Sequence, residues 1–161
     1  MVAMTMTEND HTTLDALDRR ILAEVQRDIR RSPDAIADSV GTSVSSLRRR
    51  LKRLRATGII TAEVALLDPS AAGLEIVVVV TMREEHSADY DRLKKKIREA
   101  PEITQAYSVT GEVDLLLHVL MPTMERFETW IKEFILSDSA VRRCTSHVVY
   151  SRIKYETALP V

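Results

Sequence analysis

Residues 32–58 read SPDAIADSVGTSVSSLRRRLKRLRATG, and the spacing inside this stretch sets the architecture of the N-terminal third of the chain. Ser32-Pro33-Asp34 is a helix start: Ser serves as N-cap, and Pro fits the first helical position, where an N–H would have no partner anyway. Ile36, Ala37 and Val40 fall on one face of the short helix that follows. Gly41 ends it, because a residue without Cβ enters the left-handed conformation of a sharp exit at little cost. Thr42-Ser43 opens a second helix with the apolar stripe Val44, Leu47, Leu51 and Leu54, and Gly58 closes it. A short helix, a turn holding a glycine and a second helix with one apolar stripe is the form of a helix-turn-helix. Upstream, Leu14, Leu17, Ile21, Leu22 and Val25 recur at helical spacing and predict a further helix from about Leu14 to Asp28.

The second helix also carries the charge signal. Between residues 43 and 55 stand Arg48, Arg49, Arg50, Lys52, Arg53 and Arg55 with no acid among them. Residues 1–67 carry a net charge of +2 and the remainder −3, although the whole chain stands at −1. Such asymmetry points to a polyanion-binding half. In helix-turn-helix motifs the N-terminal part of the second helix meets base edges in the major groove. Ser45, Ser46 and Arg49 are therefore expected at bases, with Ser43 at the same helix start, since Ser pairs with several bases and Arg holds guanine bidentately. Arg48, Lys52 and Arg53 are expected at phosphates, which add affinity without sequence preference. Arg50, between Leu47 and Leu54, has two readings: a DNA contact, or a structural bond to helix carbonyls or to Asp15 or Asp18. The competing view, a merely solvated helix face, sits badly with thirteen residues lacking any acid, because exposed structural helices usually interleave both signs.

Beyond Gly58, Ile59 to Leu67 reads as a connecting strand ended by the turn signal Asp68-Pro69-Ser70. Leu74 to Met82 is a β-branched strand. Ala88 to Ala100 is an amphipathic helix stopped by Pro101. Ile103–Thr110 and Val113–Met121 form two strands around a tight Gly111-Glu112 hairpin. Pro122 to Leu136 returns to helical spacing, with Phe127, Trp130, Ile131 and Phe134 apolar, and Val141 to Tyr155 closes with a long strand. The order β-α-β-β-α-β is the ferredoxin-like arrangement, with both helices on one face of a four-stranded antiparallel sheet. The uncovered face implies burial against a second copy, hence a homodimer.

Composition narrows the alternatives. An apolar content of 45% and a charged content of 29% describe an ordinary globular chain. No stretch approaches the ~20 apolar residues of a bilayer span, and residues 1–13 lack the order of a secretory signal. These features make a cytoplasmic, nucleoid-associated location the expectation. Cys144 is the only cysteine, so no intramolecular disulfide forms, and it reads as a small strand residue. His11, His86, His118 and His147 do not fall at metal-ligand spacing. With four glycines there is no phosphate-cradling loop. No catalytic set, metal or cofactor is expected.

Taken together, several patterns resemble the leucine-responsive regulator/AsnC (feast/famine) family: Leu14-Asp15-x-x-Asp18-x-x-Ile21-Leu22; Gly41-x-Ser43; Arg50-x-x-Arg53-Leu54; Gly58-Ile59-Ile60; Leu67-Asp68-Pro69 with Gly73; Pro101-Glu102-Ile103; Val109-Thr110-Gly111-x-x-Asp114; and the strand around Val148 to Lys154. Their order and spacing span about Leu14 to Pro160. The resemblance implies a winged-type helix-turn-helix, dimers that associate into tetramers or octamers, and a domain binding amino acids or related metabolites between dimers. The positions matching the family's effector site are Ala106, Tyr107, Val109, Thr110, Gly111 and Asp114, with Thr145 or Ser146 from the last strand. Asp114 suits an ammonium group and the amides around Gly111 suit a carboxylate. Duller roles are a turn requirement for Gly111 and bonds to neighbouring amides for Asp114. The chain departs from the family pattern at Thr42, at the more basic Arg48-Arg49 and at Glu112, which adds a negative charge beside the pocket.

The expected organisation is an N-terminal segment, flexible over 1–13, then a helix-turn-helix over 14–60, a linker strand and turn over 61–73, an effector-binding and oligomerisation domain over 74–155, and a tail over 156–161. The expected function is a regulator of transcription that binds double-stranded DNA and answers to an amino-acid-like effector. Two alternatives stand beside it: a chromatin-organising protein with little sequence preference, and a small-metabolite enzyme built on Glu112, Asp114 and His118.

Overall fold

The computed structural model describes residues 14–83 and 88–161. The expectation of a flexible segment over 1–13 and the positions of His11 and His86 lie outside the described residues. The chain forms two compact units, one comprising residues 14–65 together with Tyr155–Val161, the other Leu66–Lys154.

The first unit is built from α1 (Ala16–Arg27), α2 (Pro33–Val40) and α3 (Val44–Ala56). Each start is capped by a side chain, as its sequence requires. Asp15 and Asp18 form a reciprocal capping box on α1, Ser32 caps α2 with Pro33 behind it, and Ser43 caps α3. Gly41 ends α2 at φ 69° and ψ 49°, and the Gly41 and Thr42 amides donate to carbonyls of α2. That left-handed residue lets α3 leave at a steep angle after only three connecting residues. Ile21, Ile36, Ala37, Val40, Leu47 and Leu51 make the core. The C-terminal tail returns to this unit: the Gln26 amide donates to the Leu159 carbonyl (3.1 Å) and accepts from its N–H (2.7 Å).

The second unit is a four-stranded antiparallel sheet of β1 (Leu74–Met82), β2 (Ile103–Ser108), β3 (Leu115–Met121) and β4 (Val141–Val148), ordered β2-β3-β1-β4. Helices α4 (Ala88–Glu99) and α5 (Met124–Ile131), the latter extended by a π turn over Lys132–Leu136, complete it. Strand alternation divides the sheet into two faces. Ile76, Val78, Val80 and Met82 on β1, with Leu115, Leu117, Val119 and Met121 on β3, are buried in one core with Leu93, Ile97, Phe127, Ile131 and Ile135 of the helical layer. Val77, Val79, Leu116, His118 and Leu120 belong to the opposite face and are half-buried. The ferredoxin-like expectation holds.

Four element boundaries differ from the sequence expectation. Ile59 to Leu67 is not a strand, because no neighbouring strand among the described residues offers it a ladder. β4 stops at Val148, far short of Tyr155, because its partner β1 begins at Leu74 and the last rung is Val149 N–H to the Glu75 carbonyl. The β2–β3 connection is not a two-residue hairpin at Gly111-Glu112. It runs from Val109 to Asp114, closed by the Val109 N–H on the Asp114 carbonyl (3.0 Å). The last helix starts at Met124, not Pro122, because Thr123 supplies the cap.

Candidate nucleic-acid interface and effector site

Helix α3 divides into three stripes. Leu47, Leu51 and Leu54 face the core and are buried. Ser46, Arg50 and Arg53, spaced four and three apart on one side, are half-buried. Ser45, Arg48, Arg49 and Lys52 are exposed, and i, i+3, i+4, i+7 is the spacing of a single helix face.

The half-buried stripe faces α1. Arg50 Nη1 donates to Asp15 Oδ2 (2.6 Å) and Asp18 Oδ1 (2.8 Å), and Arg53 Nη2 donates to Asp18 Oδ2. Asp18 is fully buried, the one buried charged residue among those described. Of the two readings open for Arg50, the geometry takes the bond to Asp15 and Asp18. Arg53, expected at a phosphate, is found paired with Asp18: its place on the α1 side of the helix brings one guanidinium nitrogen to that carboxylate, while 40% of the side chain stays exposed. Arg55, outside the expected set, pairs with Glu63 (2.6 Å). The spacing 46–50–53 was the available sequence signal for this division, but charge alone does not say which stripe finds an acid.

The exposed stripe is differently placed. Among the described residues no acid pairs with Arg48, Arg49 or Lys52. Arg48 borders a cleft of ≈ 260 Å³ floored by Ile36, Leu47 and Leu51. At the helix start, Ser43 Oγ accepts from Ser46 N–H (3.2 Å) and lies 3.1 Å from Ser45 Oγ. The Ser43 hydroxyl thus caps the helix, and the hydroxyl of the exposed Ser45 lies within hydrogen-bond reach of it.

The carboxylates of α1 carry a pH dependence. Burial would raise the Asp18 carboxyl, but hydrogen bonds from Arg50 and Arg53 outweigh it and hold it below the usual range. Asp15 is lowered by the Asp18 backbone N–H and then by Arg50. A carboxylate depressed in the folded state stabilises fully above its unfolded pKa, and that contribution is lost as pH falls through the folded value. Helical signal from this unit is therefore expected to hold down to about pH 4, the ordinary carboxylate range, and to fall below it. A circular-dichroism titration showing the loss centred well above that range would contradict the assignment.

The expected effector positions sit as follows. The Val109–Asp114 connection carries Gly111 at φ 122°, with open space where a Cβ would stand. Only the backbone conformation, not crowding, calls for glycine there. Asp114 Oδ2 accepts from the Met82 N–H (2.7 Å), and its own N–H donates to the Val80 carbonyl. Its carboxylate thus ties β1 to the start of β3. In register, Tyr107, Leu116, Val79 and Thr145 form one row across the sheet, and Ala106, Leu117, Val78 and Ser146 the next. Because alternate residues point to opposite faces, Tyr107 and Thr145 share the uncovered face, while Ala106 and Ser146 belong to the other. Two strands separate the β2 positions from those of β4, so a single chain does not gather all eight residues around one cavity. His118 lies with Nδ1 3.7 Å from Glu75, away from Asp114 in register. Burial raises the Cys144 thiol, which keeps it protonated and a poor nucleophile. Among the described residues no group of His, Cys, Asp and Glu is placed to hold a metal ion, and no helix is long and apolar enough to cross a membrane.

Comparison with known proteins matches both units. The winged helix-turn-helix DNA-binding family matches residues 14–61, and the Lrp/AsnC ligand binding domain matches residues 75–159. The DNA-binding transcriptional activator DecR of Escherichia coli is 34% identical over 150 residues, covering 92% of this chain and 99% of its own. A transcriptional regulator from Neisseria meningitidis, solved as a complex with L-Met, superposes with a TM-score of 0.85 at 31% identity, covering 92% of this chain and 97% of that one. An AsnC family transcriptional regulator from Agrobacterium tumefaciens superposes at 0.83 and 30% identity, over 91% and 96% of the two chains.

Proposed function

The chain belongs to the Lrp/AsnC family of transcriptional regulators, and from that premise we propose that it reads DNA through the exposed stripe of α3 and is switched by an amino-acid-like effector. The observation that carries the first half is the exposed cationic face, which pairs with no acid among the described residues. Ser45 and Arg49 reach base edges, Arg48 and Lys52 hold phosphates, and Ser46 contributes from the flank. Arg contributes bidentate discrimination for guanine, and phosphate contacts set affinity and register. A dimer formed through the uncovered sheet face presents two such helices to half-sites about 34–36 Å apart, and further association builds the tetramer or octamer. The working location is the cytoplasm, on the nucleoid.

The effector reading rests on the Val109–Asp114 connection and on the Neisseria meningitidis relative solved with L-Met. Amides around Gly111 meet the carboxylate, and Asp114, whose Oδ2 already holds Met82, offers Oδ1 to the ammonium. Thr110 and Val109 line the approach, with Tyr107 on the uncovered face. Because Tyr107 and Thr145 lie two strands apart, and Ala106 and Ser146 on the other face, the site needs a second copy to close. That requirement couples ligand binding to assembly: an effector shifts DNA affinity only through its differential affinity for two assembly states.

A gel shift on a two-fold-symmetric duplex, repeated across salt concentrations, tests the DNA reading. Arg49→Ala combined with Lys52→Ala is expected to abolish the shift without changing oligomer size. Each removed phosphate contact lowers the slope of log K against log salt by about 0.9, and a lost bidentate base contact costs about 1–3 kcal/mol. An unchanged shift would overturn the docking. A binding profile flat across sequences would point instead to a DNA-organising role.

A further inference from the structure

Six cations on α3 face three ways, and one buried carboxylate draws two of them aside. Asp18 gathers Arg50 and Arg53, and Asp15 adds a second bond to Arg50. Both acids are also locked to the start of α1, since the Asp15 N–H donates to Asp18 Oδ2 (3.2 Å) and the Asp18 N–H donates to Asp15 Oδ1 (2.8 Å). The acids therefore sit on a fixed frame and the arginines come to them. Arg50 Nε and Arg53 Nε are buried and have no hydrogen-bond partner among the described residues. A network that leaves two desolvated N–H groups unmatched is poorly built for stability alone, and buried ion pairs contribute most securely when they specify register.

We propose that Asp18 is a positioning residue for DNA recognition: by binding Arg50 and Arg53 it fixes the rotation of α3 about its own axis and withholds two of its cations from the phosphates. The leucine stripe alone tolerates small rotations, because apolar packing is non-directional. Charge-assisted bonds to two points one turn apart on the helix are directional. With α3 so held, Ser45 and Arg49 meet base edges in one orientation, and a freely rotating basic helix would trade that orientation for extra phosphate contacts. Asp18 thus raises specificity at the expense of raw affinity. This rests on the DNA-reading role of α3 proposed above.

The test uses the full chain, a duplex selected from a random library by the wild-type protein, and a shuffled duplex of equal composition. Arg50→Gln and Arg53→Gln are expected not to lower the wild-type salt slope, whereas Arg48→Gln and Lys52→Gln each lower it by about 0.9. Asp18→Asn is expected to steepen the slope on shuffled DNA by about 1–2, as the released guanidiniums reach phosphates. It should also cut the selected-to-shuffled affinity ratio at least about ten-fold, the worth of one well-placed base contact. A purely structural Asp18 would lower the melting temperature and leave slope and ratio as they are in the folded fraction, which overturns the proposal. So does a lower slope in Arg50→Gln. Should Asp18→Asn not fold, Asp15→Asn, which removes a half-exposed acid and one Arg50 bond, decides by the same two readouts with smaller changes in the same direction. Failure of the wild-type chain to bind either duplex would overturn the DNA reading itself.

Discussion

Leu47→Ala is expected to unfold the N-terminal unit near physiological temperature and abolish DNA binding, while the C-terminal unit keeps its own cooperative melt. Leu47 is fully buried, packed with Ile21, Ile36, Ala37, Val40 and Leu51 in a cluster separate from that of the sheet. Truncating a buried Leu costs about 2–5 kcal/mol, because the removed atoms leave a cavity that neighbours fill only in part. A unit of roughly 60 residues holds only about 3–5 kcal/mol in its core, so the change removes most of its stability. The same change at the exposed Lys52 costs within about 0.5 kcal/mol. Scanning calorimetry with limited proteolysis reads the result: a low-temperature transition shifts or vanishes, and fragments begin within the first 65 residues. Equal loss of both transitions would mean that the two cores do not fold separately.

The second large effect lies at Gly73, which joins the 3-10 turn of Pro69–Ala72 to β1. Its φ is 107° and ψ −127°, a region closed to side chains. A Cβ built there would stand 2.4 Å from the Met121 carbonyl oxygen and 2.8 Å from Pro122 Cα. Both obstacles are backbone, so no rotamer change relieves them. Gly73→Ala therefore combines conformational strain of about 1–3 kcal/mol with overpacking of about 1–3 kcal/mol. In a domain of this size each kcal/mol lowers Tm by about 4–8 °C. The expected result is a C-terminal transition lowered by about 10 °C or more, with the N-terminal transition unmoved. Gly111→Ala is the informative control, since its Cβ meets nothing within 4 Å and only the backbone conformation is strained. If Gly73→Ala proved as mild as Gly111→Ala, the close approach of the Gly73 backbone to the end of β3 would be wrong.

Much of the fold was legible because the signals are local. Ser32-Pro33, Gly41 and Ser43 act within a few residues of themselves, and the structure places each at the helix end it announced. The β-branched run Leu74 to Met82 likewise forms the strand it announced. The failures share a cause. Ile59 to Leu67 and the residues after Val148 have strand-like side chains, yet a strand exists only where another backbone supplies its ladder, and their neighbours in sequence give no hint of that. The same held for the β2–β3 connection, where Asp114 bonds Met82, more than thirty residues away, and so lengthens the loop.

In the proposed DNA interface, composition put six cations on one helix, and periodicity set the leucines apart from them. What the linear chain determined by itself was therefore a basic helix behind a glycine turn, joined to an α+β domain with one bare sheet face, because caps, breakers and side-chain period act over a few residues. Which cations face outward was decided only by folding. Asp18 lies thirty-two residues from Arg50 and thirty-five from Arg53, and a charge seeks whatever partner the packed core brings within reach, a distance that no local pattern encodes.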